Sequence, residues 1–388
     1  MQRDRGARIR AGMREQGLDV LILLGNTNVV YATGAIWPLA DSGRANFEQP
    51  VAVVLADDDW PHLFSTLRED DDGFGVGFPA DHLHGPAYLD FDEGVALFAS
   101  ELAGIVPDAA VIGMDEWTNA VRRERSILFA SEKPRDDGRV LSKAKATKTP
   151  DELACMREGL RITEQAIAQV QAKLAPGVRQ TELTATFLRA IFDAGADANV
   201  LDPIWQVMPS RMADGPWTTT GDLACPLLST ERALVEGDVL WVDTGISYAG
   251  FHSDFGRTWV VGRRPSARQR AQFERWQEIM AAVLSVSRAG ATAADLTAAA
   301  IDAAGGTKPW MPHFYLGHGL GIDSAEMPYV GSDIGEAFDA SLVLAPGMVL
   351  VLEPIVWDDG AAGYRSEEVL LITEDGWEPM TDYPYDPF

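Results

Sequence analysis

Apolar residues along this chain fall into two rhythms. Runs of four or five mark strands, and longer stretches with apolar positions three and four apart mark helices. Met1 to Gln16 reads as an amphipathic helix, with Arg3, Arg5, Arg8, Arg10 and Arg14 around sparse apolar positions and Gly17 as its stop. Asp19 to Leu24, Val51 to Leu55, Pro61 to Ser65 and Ala109 to Met114 read as strands, the middle two paired around Ala56-Asp57-Asp58-Asp59. Alternating strands and helices make residues 1–142 a small α/β domain. His82 and His84 lie near a polar loop, Asp70 to Gly77; with no third ligand close in sequence, they are not read as a metal site. Leu141 to Lys148, holding three lysines, reads as a solvated linker. Residues 143–388 then form a second domain. Thr149, Pro150 and Glu152 make a capping box for a helix that stops at Pro176-Gly177. Further helices run from Thr181 to Gly195, Arg268 to Arg288 and Ala293 to Ala304, the last capped by Thr292 with Asp295. They come in two pairs, each preceding a strand hairpin, a duplication in outline with no clear sequence repeat.

The two hairpins carry the chemistry. In Gly237 to Val261, the runs Val239 to Val242 and Phe255 to Val261 flank a turn at Ser247 to Gly250. A fold-back between Tyr248 and Ala249 sets Asp243 opposite Asp254, a few ångströms apart on one face. Like charges so placed call for a cation, most simply a divalent metal. Taken alone, this pair is equally well explained as solvated strand-end acids. Met348 to Ile372 repeats the plan: Glu353 and Glu367 face each other about Gly360. Between the hairpins stands His318, within Gly317-His318-Gly319-Leu320-Gly321. Four carboxylates and one imidazole suit a pair of divalent ions such as manganese, cobalt, iron or zinc.

Charge and cysteines narrow the classes. A net charge of −26 argues against nucleic acid and anionic membrane surfaces as partners. Cys155 lies in a helix pattern and Cys225 precedes Pro226, so no disulfide framework is implied. No run reaches the ~18 apolar residues of a membrane span. The first twelve residues lack the apolar segment of a signal peptide, so the cytoplasm is the expected compartment.

Asp243, Asp254, His318, Glu353 and Glu367, in that order, resemble the ligand set of the pita-bread metallopeptidase family: methionine aminopeptidase, prolidase, aminopeptidase P and the metal-free creatinase. Gly237-Asp238, Pro328 after Glu326, and Arg365 two before Glu367 match as well. The resemblance covers the whole chain, most specifically Thr149 to Asp375. It implies an α/β (α+β) architecture, with a creatinase/prolidase-like amino-terminal domain, then a curved antiparallel sheet with outer helices. It also implies two divalent ions bridged by Asp254 and Glu367, with Asp243 on one side and His318 and Glu353 on the other. Glu353 takes the proton-transfer role, Arg365 orients Glu367, and a homodimer is expected. The implied reaction is hydrolysis of a C–N bond, with an Xaa-Pro dipeptide as substrate.

Some positions depart from the family. Ala325-Glu326 stands where prolidases carry His-Glu, Leu227 follows Pro226 where a histidine is usual, and Phe314 replaces a histidine four before His318. His313, one residue further back, is the candidate replacement through a small backbone shift. His252 is expected on the other face. Trp205, Trp217 and Trp310, read as loop residues around the site, suit a small cationic or apolar substrate, and Asp323 is grouped with them. Trp37 is placed in an amino-domain loop within reach. The missing imidazoles keep a second class open: lyase cleavage of a sulfonium such as dimethylsulfoniopropionate, or hydrolysis of a cyclic or guanidino metabolite. A non-catalytic binding protein is disfavoured, because pairing buried acids without metal is costly.

Overall fold

The computed structural model describes residues 1–35, 50–66, 78–128, 135–136, 138–211 and 229–386. Trp37, Trp217, Cys225, Leu227 and the Asp70 to Gly77 loop lie outside them. The chain forms two compact units, Met1–Lys145 and Ala146–Phe388.

The first unit is a mixed six-stranded sheet in the order β4-β3-β2-β1-β5-β6. Its strands are β1 (Val20–Leu23), β2 (Val51–Leu55), β3 (His62–Phe64), β4 (Leu83–His84), β5 (Ile112–Met114) and β6 (Arg135–Asp136). β2 and β3 pair antiparallel, as the runs around Ala56 to Asp59 predict, and β4 adds to β3 in parallel. Val20, Ile22, Val51 and Val53 pack with Val95, Phe98 and Leu102 of the helix Asp92–Leu102. The parallel pairing overturns one expectation. His82 and His84 do have further ligand types beside them: Asp58, His62 and His82 each place a ligand atom within 4.8 Å of the others. Burial, helped by the neighbouring His82 and His84, pushes His62 down to about 4.

The lysine-rich stretch is not a solvated linker. Arg139–Ala146 is a helix. Beyond it, Lys148 is buried and donates to Glu326 Oε1 at 2.5 Å.

Every strand pair of the second unit is antiparallel. One sheet runs β10-β8-β7, with β9 also on β8; its strands are β7 (Ala198–Val207), β8 (Val239–Tyr248), β9 (Phe251–His252) and β10 (Phe255–Val260). The other runs β12-β11-β13-β16-β17. It uses β11 (Gly317–Gly319), β12 (Glu326–Val330), β13 (Val349–Leu352), β16 (Glu368–Ile372) and β17 (Trp377–Pro379). β14 (Ile355–Trp357) and β15 (Gly363–Arg365) pair apart from both. The sequence hides β7, because Asp202-Pro203 reads as a break; on this edge strand the register shifts there and the proline is tolerated.

Helices Pro150–Lys173 and Gln180–Asp193 pack on the first sheet's core of Leu240, Val242, Phe255 and Trp259. Helices Ala267–Val286 and Ala293–Ala303 pack on Leu350, Leu352 and Leu370. The capping boxes at Thr149 and Thr292 form as expected, and Ser266 with Gln269 adds a third.

The duplication also has a sequence trace. Leu234-Val235-Glu236-Gly237-Asp238-Val239 and Leu344-Ala345-Pro346-Gly347-Met348-Val349 share Leu, Gly and Val at the same spacing. Both leucines are buried, and the two glycines have φ of 89° and 88°. Arg179 bridges Ala233 as Thr292 bridges Val343. The repeat places Asp243 four residues into the strand that starts at Val239, and Glu353 four residues beyond Val349.

Candidate metal centre

Asp243 lies on β8, and Asp254 lies in the gap between β9 and β10. Their turn is Ala249-Gly250, with φ of 51° and 77°, closing Tyr248 onto Phe251. Two positive φ angles fit a type I′ hairpin. The turn sits one residue beyond the expected fold-back, so Asp243 faces Gly256 rather than Asp254. That moves the partner by two residues, and a shift of two keeps both aspartates on one face. The second hairpin has the expected register: Leu352 pairs with Glu368 and Ile355 with Arg365. Glu353 and Glu367 sit between those pairs, where the ladder opens.

Backbone and side-chain bonds join the hairpins. Glu367 N–H donates to Gly256 O at 3.0 Å. Thr258 Oγ1 donates to Arg365 O at 2.6 Å and accepts from Arg365 N–H at 2.9 Å. Buried Arg257 donates to the carbonyls of Gly256 and Glu367, each at 2.8 Å. Asp243, Asp254 and Glu367 consequently bring ligand oxygens within 4.8 Å of one another. His318 Nε2 lies 3.3 Å from Asp254 Oδ2 and 3.6 Å from Glu353 Oε1. Its Nδ1 faces the Gly319 carbonyl at 2.9 Å; a carbonyl only accepts, so Nδ1 carries a proton and Nε2 is the atom turned toward the acids. All five residues come together.

Arg365 does more than orient Glu367. Its guanidinium pairs with Asp243 at 2.9 Å, with Glu353 at 2.6 Å, and with Glu367. Four buried carboxylates still outnumber this one cation. Burial pushes Asp243 up to about 7 against the pull of Arg365, with Asp254 and Glu353 adding repulsion. Burial raises Glu353 and Glu367 as well. Glu367 Oε1 meets only the Arg365 guanidinium, and its Oε2 is buried without a hydrogen bond. Excess buried negative charge, a carboxylate oxygen without a donor and an imidazole nitrogen turned among the acids are what divalent cations require, so the residues fit a metal pair.

Several contributors were not visible in the sequence. Trp241 Nε1 donates to Asp243 Oδ2 at 3.2 Å, and the Arg365 guanidinium lies 4.5 Å from its ring centre. Tyr315 stands edge-on to His318, ring centres 5.2 Å apart, with its pKa raised by burial and then by Glu353 and Asp254. A Cβ on Gly256 would lie 2.6 Å from the Glu367 carboxyl carbon and closer still to Arg365. Gly256→Ala should therefore cost about 1–3 kcal/mol in denaturant unfolding and lower bound metal in elemental analysis.

The substrate candidates fare differently. Trp205 is fully buried on β7, donates Nε1–H to Thr184 Oγ1 and stacks with Trp259 in the core. Trp310 is likewise a core residue, packed with Leu316 and Val330. Neither lines an open site; each fills space behind a sheet. His313 is not brought among the carboxylates. Its side chain is 91% exposed and bonds Asp333 at 2.7 Å, from a backbone with φ of 61°. Phe314 instead packs on the apolar cluster around Trp241. His252 does not turn away: its Nδ1 meets Ser324 Oγ at 2.9 Å, within the influence of Asp323 and Asp254. Asp323 is half-buried in that same loop, and the Ala325 carbonyl accepts from Tyr329 OH at 3.0 Å.

Comparison with known proteins places this arrangement. A probable dipeptidase PepE of Mycobacterium tuberculosis is 29% identical over 252 residues, 64% of this chain and 61% of that protein. An Xaa-Pro dipeptidase of Pyrococcus furiosus is 27% identical over 245 residues, 62% of this chain and 65% of its own. The chain thus aligns with somewhat under two thirds of the length of these relatives. The crystal structure of the prolidase from Pyrococcus horikoshii OT3 superposes with a TM-score of 0.76 at 21% identity, covering 99% of each chain, a likeness of fold. Residues 5–123 match the creatinase/prolidase N-terminal domain. Residues 154–374, 221 of the 388, match metallopeptidase family M24, and with the ligand-type residues gathered on its two hairpins the chain belongs to that family.

Proposed function

We propose that this protein is a dinuclear-metal-dependent Xaa-Pro dipeptidase. The observation that carries this reading is the buried convergence of Asp243, Asp254, His318, Glu353 and Glu367 around one guanidinium. The dipeptidase names of its relatives support it. Asp254 and Glu367 would bridge two divalent ions, Asp243 would complete one position, and His318 with Glu353 the other. Bound there, the ions would lower the pKa of a water and polarise the scissile carbonyl. The chain's own residues do the rest. Glu353, its carboxyl raised by burial, holds and returns a proton at its side-chain oxygen. Arg365 fixes the orientation of three of the acids. The apolar cluster of Ile204, Met208, Trp241, Met311 and Ile355 borders Asp243 and offers a dry wall suited to a proline ring. The family resemblance also brings manganese and a homodimer into this reading.

A second reading rests on the Ala325 methyl and on solvent-exposed His313, which leave two of the family's helper imidazoles without a counterpart. On it, the same centre serves a lyase acting on a sulfonium or a hydrolase of a cyclic or guanidino metabolite. A panel of Xaa-Pro dipeptides, onium compounds and cyclic ureides, assayed with manganese, separates the two. Turnover of the dipeptides alone is expected; turnover confined to the other compounds would overturn the peptidase reading.

Metal removal should show a pH signature. Asp243 holds its proton more tightly folded, at about 7, than in the unfolded chain, at about 3.9. Its contribution to the metal-free fold is therefore complete below the unfolded value and is lost as pH rises through about 7. Cations need the deprotonated acids. The drop in melting temperature caused by chelator should accordingly grow from pH 5 to pH 8 in calorimetry; an equal drop at both would refute the link.

A further inference from the structure

We propose that Asp58, His62 and His82 form a separate binding site in the amino-terminal unit for one zinc-class divalent ion. Three of the chain's six histidines meet here, far from the carboxylate hairpins in sequence. The topology gathers them. β3 and β4 run parallel with Leu63 opposite Leu83 and Phe64 opposite His84, so His62 and His82 stand one step back at matching positions. Their rings stack with centres 4.3 Å apart, and His84 stacks on Phe64. Asp58 comes from the turn that joins β2 to β3.

The hydrogen bonds turn the ligand atoms toward one another. His82 Nδ1 lies 3.1 Å from Asp81 Oδ1, and a carboxylate only accepts, so Nδ1 donates. Neutral His82 then presents a bare lone pair at Nε2, yet Nε2 lies 3.1 Å from Asp58 Oδ2, another acceptor. A cation between them resolves that opposition. His62 follows the same plan: its Nδ1 lies 2.9 Å from His84 Nε2, and donation to that atom leaves its own Nε2 available. Asp81 and His84 thus act as the outer partners that fix a ligating imidazole's tautomer. The three ligand atoms lie within 4.8 Å of one another, His82 Nε2 and Asp58 Oδ2 at 3.1 Å, and bonds of about 2.1 Å in tetrahedral geometry set ligand atoms roughly 3.4 Å apart. Two imidazoles and one carboxylate favour zinc, cobalt, nickel or copper over magnesium or calcium. Asp58 is 32% exposed, which leaves a route for the ion.

Zinc content of the full chain tests this. Wild type, Asp58→Asn and His62→Gln are dialysed against the same free zinc and measured by elemental analysis, with circular dichroism as the fold check. Each variant should bind one zinc fewer per chain than wild type, or hold that ion at least tenfold more weakly in competition with a chelating dye. Should His62→Gln fail to fold, Asp58→Asn decides, since it keeps the side chain's shape and removes only its charge. Equal zinc content and affinity in wild type and Asp58→Asn would overturn the site and leave His82 as a protonated bridge between Asp58 and Asp81.

Discussion

Glu353→Gln should keep the fold and lower kcat on an Xaa-Pro dipeptide by about 10²–10⁴-fold, with KM little changed. Glu353 is buried where the β13–β16 ladder opens, 2.6 Å from Arg365 and 3.6 Å from His318 Nε2. Gln matches its shape and can still bond, but it cannot take up and release a proton at working pH. The charge lost also weakens a metal position, so metal content is measured beside steady-state kinetics. A kcat that falls while both ions stay bound assigns the loss to proton transfer. Unchanged kcat would remove the role.

Arg365→Met should be the most destabilising substitution in the centre when metal is absent. The guanidinium is buried and pairs with three carboxylates, and removing one partner of a buried charge set costs about 3–5 kcal/mol. Manganese should recover part of that loss, because added cations replace some of the missing positive charge. Urea unfolding of chelated and manganese-loaded protein measures both. A variant as stable as wild type without metal would mean that the acids are neutral at the working pH.

The five ligand-type residues were legible in the sequence because each acid stands in or beside an apolar strand run, where a charge is conspicuous, and His318 stands in a glycine-dense stretch. The second hairpin's register followed from its centre at Gly360. The first was displaced because its turn uses Ala249 at positive φ, which sequence alone would not select. The tryptophans misled: Trp205 looks like a loop residue only because Asp202-Pro203 disguises an edge strand. Arg257 and Gly256 left no signal, since one acts on a carbonyl 110 residues away and the other acts by lacking a side chain. His62 and His82 are 20 residues apart and meet only through parallel pairing that no local pattern announces.

The most direct measurement of the central claim is anomalous diffraction from manganese-loaded, catalytically active crystals. Two peaks are predicted among Asp243, Asp254, His318, Glu353 and Glu367, with Asp254 and Glu367 touching both. Active crystals with no peak among these five residues would contradict the account.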